Sequence, residues 1–343
     1  MSEIIYKKFQ IKWYKEDILT YLSLWEITSQ NFLQSWEDDI FTANIVFDKN
    51  PEKYIDEELR KFSDYYQVGK KSIYYNKKYS FLNLKLYIKD IDSKNVTFYL
   101  NKAYYNIVKF RMDNLYPLGI HVSDIFLTKL LNTGNLVVHW ACLYNTKNKC
   151  AFSLVAPPDT GKTYTTYKFL ETDGYKFLGE DLSLWDSKTN KMICMPYTST
   201  WEHRFKLWWF HVWKIPFVWI MVPHKKHSVY DIFWEDKVQN EGDSKIIYLL
   251  EQSDEVNSVM PVSKDKLEKI IEKVKLIQRN EFWYYKNPLL LAFDYFNNTD
   301  LEWTKEKENK LIDQYFQQNK VFLVNAKDYK EYYNLIKEHQ NEV

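Results

Sequence analysis

Gly161, Lys162 and Thr163 close the run A-P-P-D-T-G-K-T, Ala156 to Thr163, and those residue types in that order suit one kind of chemistry. Successive backbone N–H groups at a helix start converge on an anion, a lysine reaches the outer phosphates of a nucleotide, and a threonine hydroxyl meets Mg2+. The first position of such a loop is usually glycine. Here it is Ala156, which keeps the compactness and gives up torsional freedom. Glu180 and Asp181 follow at the end of the apolar run Y-K-F-L-G, where carboxylates could hold a metal or take a proton. Stabilising a phosphoryl group in flight also favours a cation aimed at it, and arginine's fork fits best. The chain has four arginines, and only Arg204 and Arg279 come after the loop.

The surrounding residues supply the elements that must hold this chemistry in place. H-V-S-D-I-F-L-T-K-L-L-N-T-G, His121 to Gly134, has helical apolar spacing, with Ser123 and Asp124 suited to its start and Gly134 to its stop. N-L-V-V-H-W-A-C-L-Y-N reads as a strand, T-K-N-K as a tight turn and A-F-S-L-V-A as a second strand. After the loop the pattern predicts a helix from Lys162 to about Glu171, then Gly174, then a strand in Y-K-F-L-G-E-D-L-S-L-W-D. Strand, loop, helix, strand is the context a phosphate loop requires. Of the seven glycines, Gly134, Gly161, Gly174 and Gly179 fall in this stretch, so its turns are the ones that demand unusual backbone.

The run from Leu130 to Asp186 resembles the core of the HPr kinase/phosphorylase family, whose nucleotide-binding fold is shared with phosphoenolpyruvate carboxykinases: a helix ending in Gly, a strand carrying His, a hairpin, the phosphate loop, and a strand closing in two acids. The resemblance implies an α/β fold, a phosphate-loop domain with a mixed sheet; the residues before it, rich in Tyr, Lys and Asp with short alternating stretches, read as a smaller α+β module. It implies roles for Ala156, Pro157, Pro158, Asp159, Thr160, Gly161, Lys162, Thr163 and Tyr164 in seating ATP, and for Thr163, Glu180, Asp181 and Glu202 in holding Mg2+. It further implies that His139 is an active-site histidine and that Asp181 takes the acceptor's proton. W-E-H-R-F matches a segment with a metal-binding glutamate and a nearby arginine, Glu202 and Arg204. The family includes kinases that tailor small ribosomal peptides. The chain departs from it at Ala156, at Glu180 where Asp is commoner, and in having no glycine- and arginine-rich segment after the second acid.

Composition limits the alternatives. At 343 residues and 45% hydrophobic content the chain can bury a substantial core. A balance of 47 basic against 46 acidic residues gives no global attraction to nucleic acid or an anionic membrane. Cys142, Cys150 and Cys194 have no metal-like or disulfide-like spacing, and the first residues lack an apolar signal core, which predicts a cytoplasmic protein. The apolar run Leu207 to Val222 is short for a membrane span and is interrupted by His211, Lys214 and Pro216. It reads as buried strands or an aromatic subunit contact, which leaves a homo-oligomer open; a groove for an apolar peptide is the less favoured reading.

The division expected is a module over 1–115 serving substrate recognition and a catalytic domain over 116–343. The expected activity is ATP- and Mg2+-dependent transfer of the γ-phosphoryl to a Ser or Thr hydroxyl of a small protein or peptide, catalysed by Asp181, His139, Lys162 and Arg204. A non-catalytic, nucleotide-responsive binding module is the main alternative, and a carboxykinase-type small-molecule enzyme the third.

Overall fold

The computed structural model describes residues 2–6, 9–13, 41–79, 82–109, 120–180, 182–195, 197–198, 227–228, 235–254, 256–281 and 284–342. It is a mixed α/β protein whose described residues fall into two compact units, one made of positions up to 133 together with 284–305, the other of 134–198, 227–281 and 306–342. Asp181, Glu202, Arg204 and the run 207–222 lie outside the described residues. Among those described, no helix is long and apolar enough to cross a membrane.

In the first unit, β1 (Ser2–Tyr6), β2 (Phe9–Trp13), β3 (Phe41–Phe47), β4 (Arg60–Lys61), β5 (Tyr66–Val68), β6 (Ser72–Tyr79), β7 (Leu82–Lys89) and β8 (Asn95–Leu100) form one sheet in the order β1-β2-β3-β8-β7-β6-β5-β4. The β2–β3 and β3–β8 pairs are parallel and the others antiparallel. The alternation of buried and less buried side chains in β8 ends at Leu100. Asn101 then accepts a hydrogen bond from the Tyr104 N–H at 2.9 Å, capping α1 (Lys102–Lys109).

The following helix, α2 (Ile120–Asn132), starts ahead of Ser123 and Asp124, so neither residue is its cap. Asp124 is 3% exposed and accepts a hydrogen bond at 2.9 Å from Asn287, whose own Oδ1 caps the helix Pro288–Asn297 through the Leu289 N–H. Burial pushes the Asp124 carboxyl up to about 8. A residue type that favours helix starts has here been recruited inward by a long-range partner.

The second unit is built on β9 (Asn135–Val138), β10 (Ala141–Asn145), β11 (Cys150–Val155), β12 (Tyr175–Gly179), β13 (Ser183–Asp186), β14 (Lys191–Ile193), the ribbon pair β15 (Tyr197–Thr198) and β16 (His227–Ser228), β17 (Glu241–Gln252), β18 (Ser258–Pro261) and β19 (Lys320–Ala326). The long β17 is the spine. β11 runs parallel along one edge, while β14 and then the parallel β19 share the other. β10 and β12 continue the sheet antiparallel beyond β11.

Two runs that read as single strands are each divided. N-L-V-V-H-W-A-C-L-Y-N breaks at His139 and Trp140, because β9 pairs with β13 while β10 pairs with β11 and β12. Y-K-F-L-G-E-D-L-S-L-W-D breaks after Gly179, since β12 belongs beside β10 and β13 beside β9 and β14.

All six residues of β11 are buried, as expected for a strand covered on both faces. On one face Phe152 meets Phe169 of α3 (Lys162–Leu170), with ring centroids 5.4 Å apart; Phe169 in turn contacts Tyr175 and Tyr333. On the other face the Ser153 hydroxyl lies 2.6 Å from the Tyr315 hydroxyl, whose ring sits against Trp140 and Trp185. Alternate residues of one strand thus anchor two separate packing layers.

Candidate functional site

The register of β10, β11 and β12 brings the sequence-selected residues to one edge. Ala141 pairs with Leu154 and Cys142 with Gly179. The His139–Trp140 break, the Gly179–Ser183 turn and the loop after Val155 therefore lie at the same end of three adjacent strands, which is the carboxyl end of β11. Open α/β sheets bind ligands at this end.

The loop and its helix form as the sequence predicts, with α3 running Lys162–Leu170. Gly161 takes φ +103° at the helix start and the helix has no side-chain cap there, so its first N–H groups point out of the loop without a side-chain acceptor. A Cβ at Gly161 would lie 2.7 Å from the Cβ of Tyr329, a second reason for glycine at this position. Tyr329 also meets the Tyr164 ring edge-on at 5.2 Å. Lys162, only 9% exposed, folds its ammonium over the loop and donates to the Ala156 and Pro157 carbonyls at 2.7 and 2.9 Å. The Thr160 hydroxyl donates to the Pro157 carbonyl at 2.8 Å, tightening the same turn.

Positive φ occurs at Asp159 (+60°) and Gly161, not at Ala156. Alanine at the loop's first position therefore carries no backbone strain. Ala156→Gly is expected to lower stability by about 0.4–1 kcal/mol through the unfolded chain's added freedom, and to leave nucleotide affinity within a few-fold. Thermal melts and a nucleotide titration check both; a large loss of affinity would mean that the methyl group itself is part of the ligand seat.

Glu180 sits in the turn leaving β12 and is 3% exposed. That turn is tight: a Cβ at Gly179 would come within 2.6 Å of the Leu182 carbonyl, and the Ser183 hydroxyl donates to the Trp140 carbonyl at 2.9 Å. This bond ties the segment carrying His139 to the segment carrying Glu180. His139 is half-buried, and Thr163 is half-buried at the first turn of α3. Thr165 and Thr166 donate back to the Gly161 and Lys162 carbonyls, at 3.0 Å each, and brace that turn. Arg279, the other arginine after the loop, lies on α4 (Lys264–Glu281) near Asn309. Among the described residues no group of three or more His, Cys, Asp or Glu side chains could hold a metal.

On the side of the loop away from Glu180 a cleft of about 390 Å3 opens, bounded by loop residues Ala156 to Thr160, the end of β17 and α4. Neither Tyr329 nor α4 is legible as part of this site from the sequence around the loop.

No protein-family model matches the chain, and no curated protein matches it. Among solved structures, the HPr(Ser) kinase/phosphatase from Coxiella burnetii aligns over 60% of this chain and 97% of its own, at 12% identity and a TM-score of 0.28. A likeness at that level carries no weight for fold or function, and the site rests on its own geometry.

Proposed function

We propose that this chain is a nucleoside-triphosphate-dependent kinase that transfers the γ-phosphoryl to a hydroxyl, a Ser or Thr of a small protein or peptide. The observation that carries the reading is the loop itself: an uncapped helix start behind a left-handed glycine, a buried lysine folded across the loop, and a buried carboxylate on the neighbouring turn at the same strand ends. Anion-binding amides, a cation and an acid at one sheet edge are the parts that phosphoryl transfer requires.

The donor set fits a magnesium-bound triphosphate. Mg2+ is usually held by one or two carboxylates together with the phosphates and not by an all-protein cage; the Thr163 hydroxyl and Glu180 are hard oxygen donors of that kind, with Asp181 and Glu202 as further candidates. When bound, the metal neutralises charge on the β- and γ-oxygens. In this reading Lys162 and the loop amides hold the phosphates, and Asp181 accepts or orients the acceptor's proton. His139, on a segment fixed by Ser183, positions the phosphoryl group, and Arg204 offsets its charge. Residues 1–115 serve acceptor recognition and 116–343 the chemistry.

The test is direct. Millimolar Mg2+-nucleotide should raise the melting temperature, by about 2.7 kcal/mol of added stability at a hundredfold excess over Kd. Labelled γ-phosphoryl should then appear on a hydroxyl of a protein or peptide acceptor. No thermal shift with any triphosphate would end the proposal. A shift without transfer would favour the nucleotide-responsive binding module.

A further inference from the structure

The cleft beside the loop contains groups that phosphate binding leaves unused. Ile270, Val274 and Ile277 recur at helical spacing on α4 and form one wall; Leu249, near the end of β17, and Leu323, in the middle of β19, form another. The result is an aliphatic slot within the volume range of small-molecule sites. Because Ala156 and Thr160 line the same cleft, a ligand with its phosphates in the loop has its remaining half here.

Besides Asp159 and Thr160 of the loop, the polar groups in the slot come from one strand and one helix. Glu251 and Gln252 come from the end of β17, and Lys266 and Lys273 from α4. The Gln252 amide nitrogen spends one of its two hydrogens on the Lys327 carbonyl at 3.2 Å, which leaves its oxygen and its second N–H to offer. An ionised carboxylate only accepts and an ammonium only donates. The strand end therefore presents one acceptor-only group, the Glu251 carboxylate, and the helix presents donor-only ammonium groups.

Only one common base matches that arrangement. Guanine carries two adjacent donors, N1–H and the 2-amino group, beside the acceptor O6. Adenine and cytosine each set one amino donor next to a ring-nitrogen acceptor, N1 or N3, which would face the carboxylate lone pair to lone pair, and uracil flanks its single N–H with two carbonyls. Building on the proposed nucleotide reading, we infer that this slot takes the base of the nucleotide and that the base is guanine, with Glu251 on N1–H and the 2-amino group and a lysine of α4 on O6.

Bidentate base contacts of this type discriminate by about 1–3 kcal/mol, so GTP should bind roughly 10- to 100-fold more tightly than ATP. The experiment uses the full chain with Mg2+ and four probes: GTP, ATP, xanthosine triphosphate and inorganic tripolyphosphate. Glu251→Gln replaces an acceptor with a donor that suits the 2-oxo group of xanthine. It should lose the preference for GTP and gain one for xanthosine triphosphate, with tripolyphosphate affinity unchanged. Glu251 is exposed, so the variant should melt as the wild type does without ligand. Ile270→Trp, at a half-buried position on the slot wall, should reduce GTP affinity to that of tripolyphosphate.

Equal affinity for GTP and ATP in the wild type, or a GTP preference surviving Glu251→Gln, would overturn the guanine assignment while leaving the kinase reading standing. Undiminished GTP affinity in Ile270→Trp would remove the base from this slot. Failure of all four probes, tripolyphosphate included, would overturn both proposals, since the loop itself would then hold no phosphate.

Discussion

Lys162→Ala is expected to lose nearly all of the thermal stabilisation given by Mg2+-nucleotide and to slow phosphoryl transfer by about 10²–10³, the cost typical of removing one aligned electrostatic group from a reacting centre. The ammonium lies across the loop, 2.7 Å from the Ala156 carbonyl and 2.9 Å from that of Pro157. Part of the mutational effect will therefore appear without ligand: two charge-assisted bonds disappear, for a loss of about 1–3 kcal/mol that water offsets in part at the loop's exposed rim. The two effects separate when melts are recorded with and without nucleotide. The ligand-free difference reports the loop's own bonds, and the difference in nucleotide-induced shift reports phosphate binding. A variant that keeps the full nucleotide shift would show that the ammonium only braces the turn.

Asp181→Asn is expected to cut transfer by about 10²–10⁴ while changing nucleotide affinity little. The substitution keeps shape and hydrogen-bonding reach and removes the charge that attracts a proton. Its neighbour Glu180 is buried in the turn that follows Gly179. Single-turnover transfer from labelled nucleotide and affinity at several Mg2+ concentrations make the distinction. If affinity and Mg2+ dependence fall together with the rate, Asp181 is a metal ligand and not the base. If transfer is unchanged, it has no part in the reaction.

The sequence-level reading succeeded where the signal was local and failed where partners were distant. The strand, loop and helix around Gly161 were legible because glycine placement, an apolar six-residue run and helical spacing all fall within about twenty residues. The division of one apolar run at His139 was not. Nothing in L-V-V-H-W-A-C-L distinguishes one strand from two, and what decides it is that β9 and β10 find different neighbours. Ser123 and Asp124 misled for a similar reason, since Asp124 is claimed by Asn287 from far along the chain. The slot of α4 was invisible because its wall reads as an ordinary amphipathic helix, whose inward face takes on meaning only when β17 and β19 are set beside the loop.

Tyr329, closed over Gly161, bears on how the molecule is made. The complete phosphate motif leaves the ribosome well before β17, β19 and the turn Tyr329–Glu331 that secure it. β11 must wait for β17 as its parallel neighbour, and β17 for β19, so the central pairings join distant parts of the chain and their closure is slow. Until then β11, apolar at every position but Ser153, has one edge unpaired and open to association with other chains. The nascent chain thus passes through a stage in which it has the motif but not the grip, and the proposed nucleotide site can be complete only once β19 and the turn after it are in place.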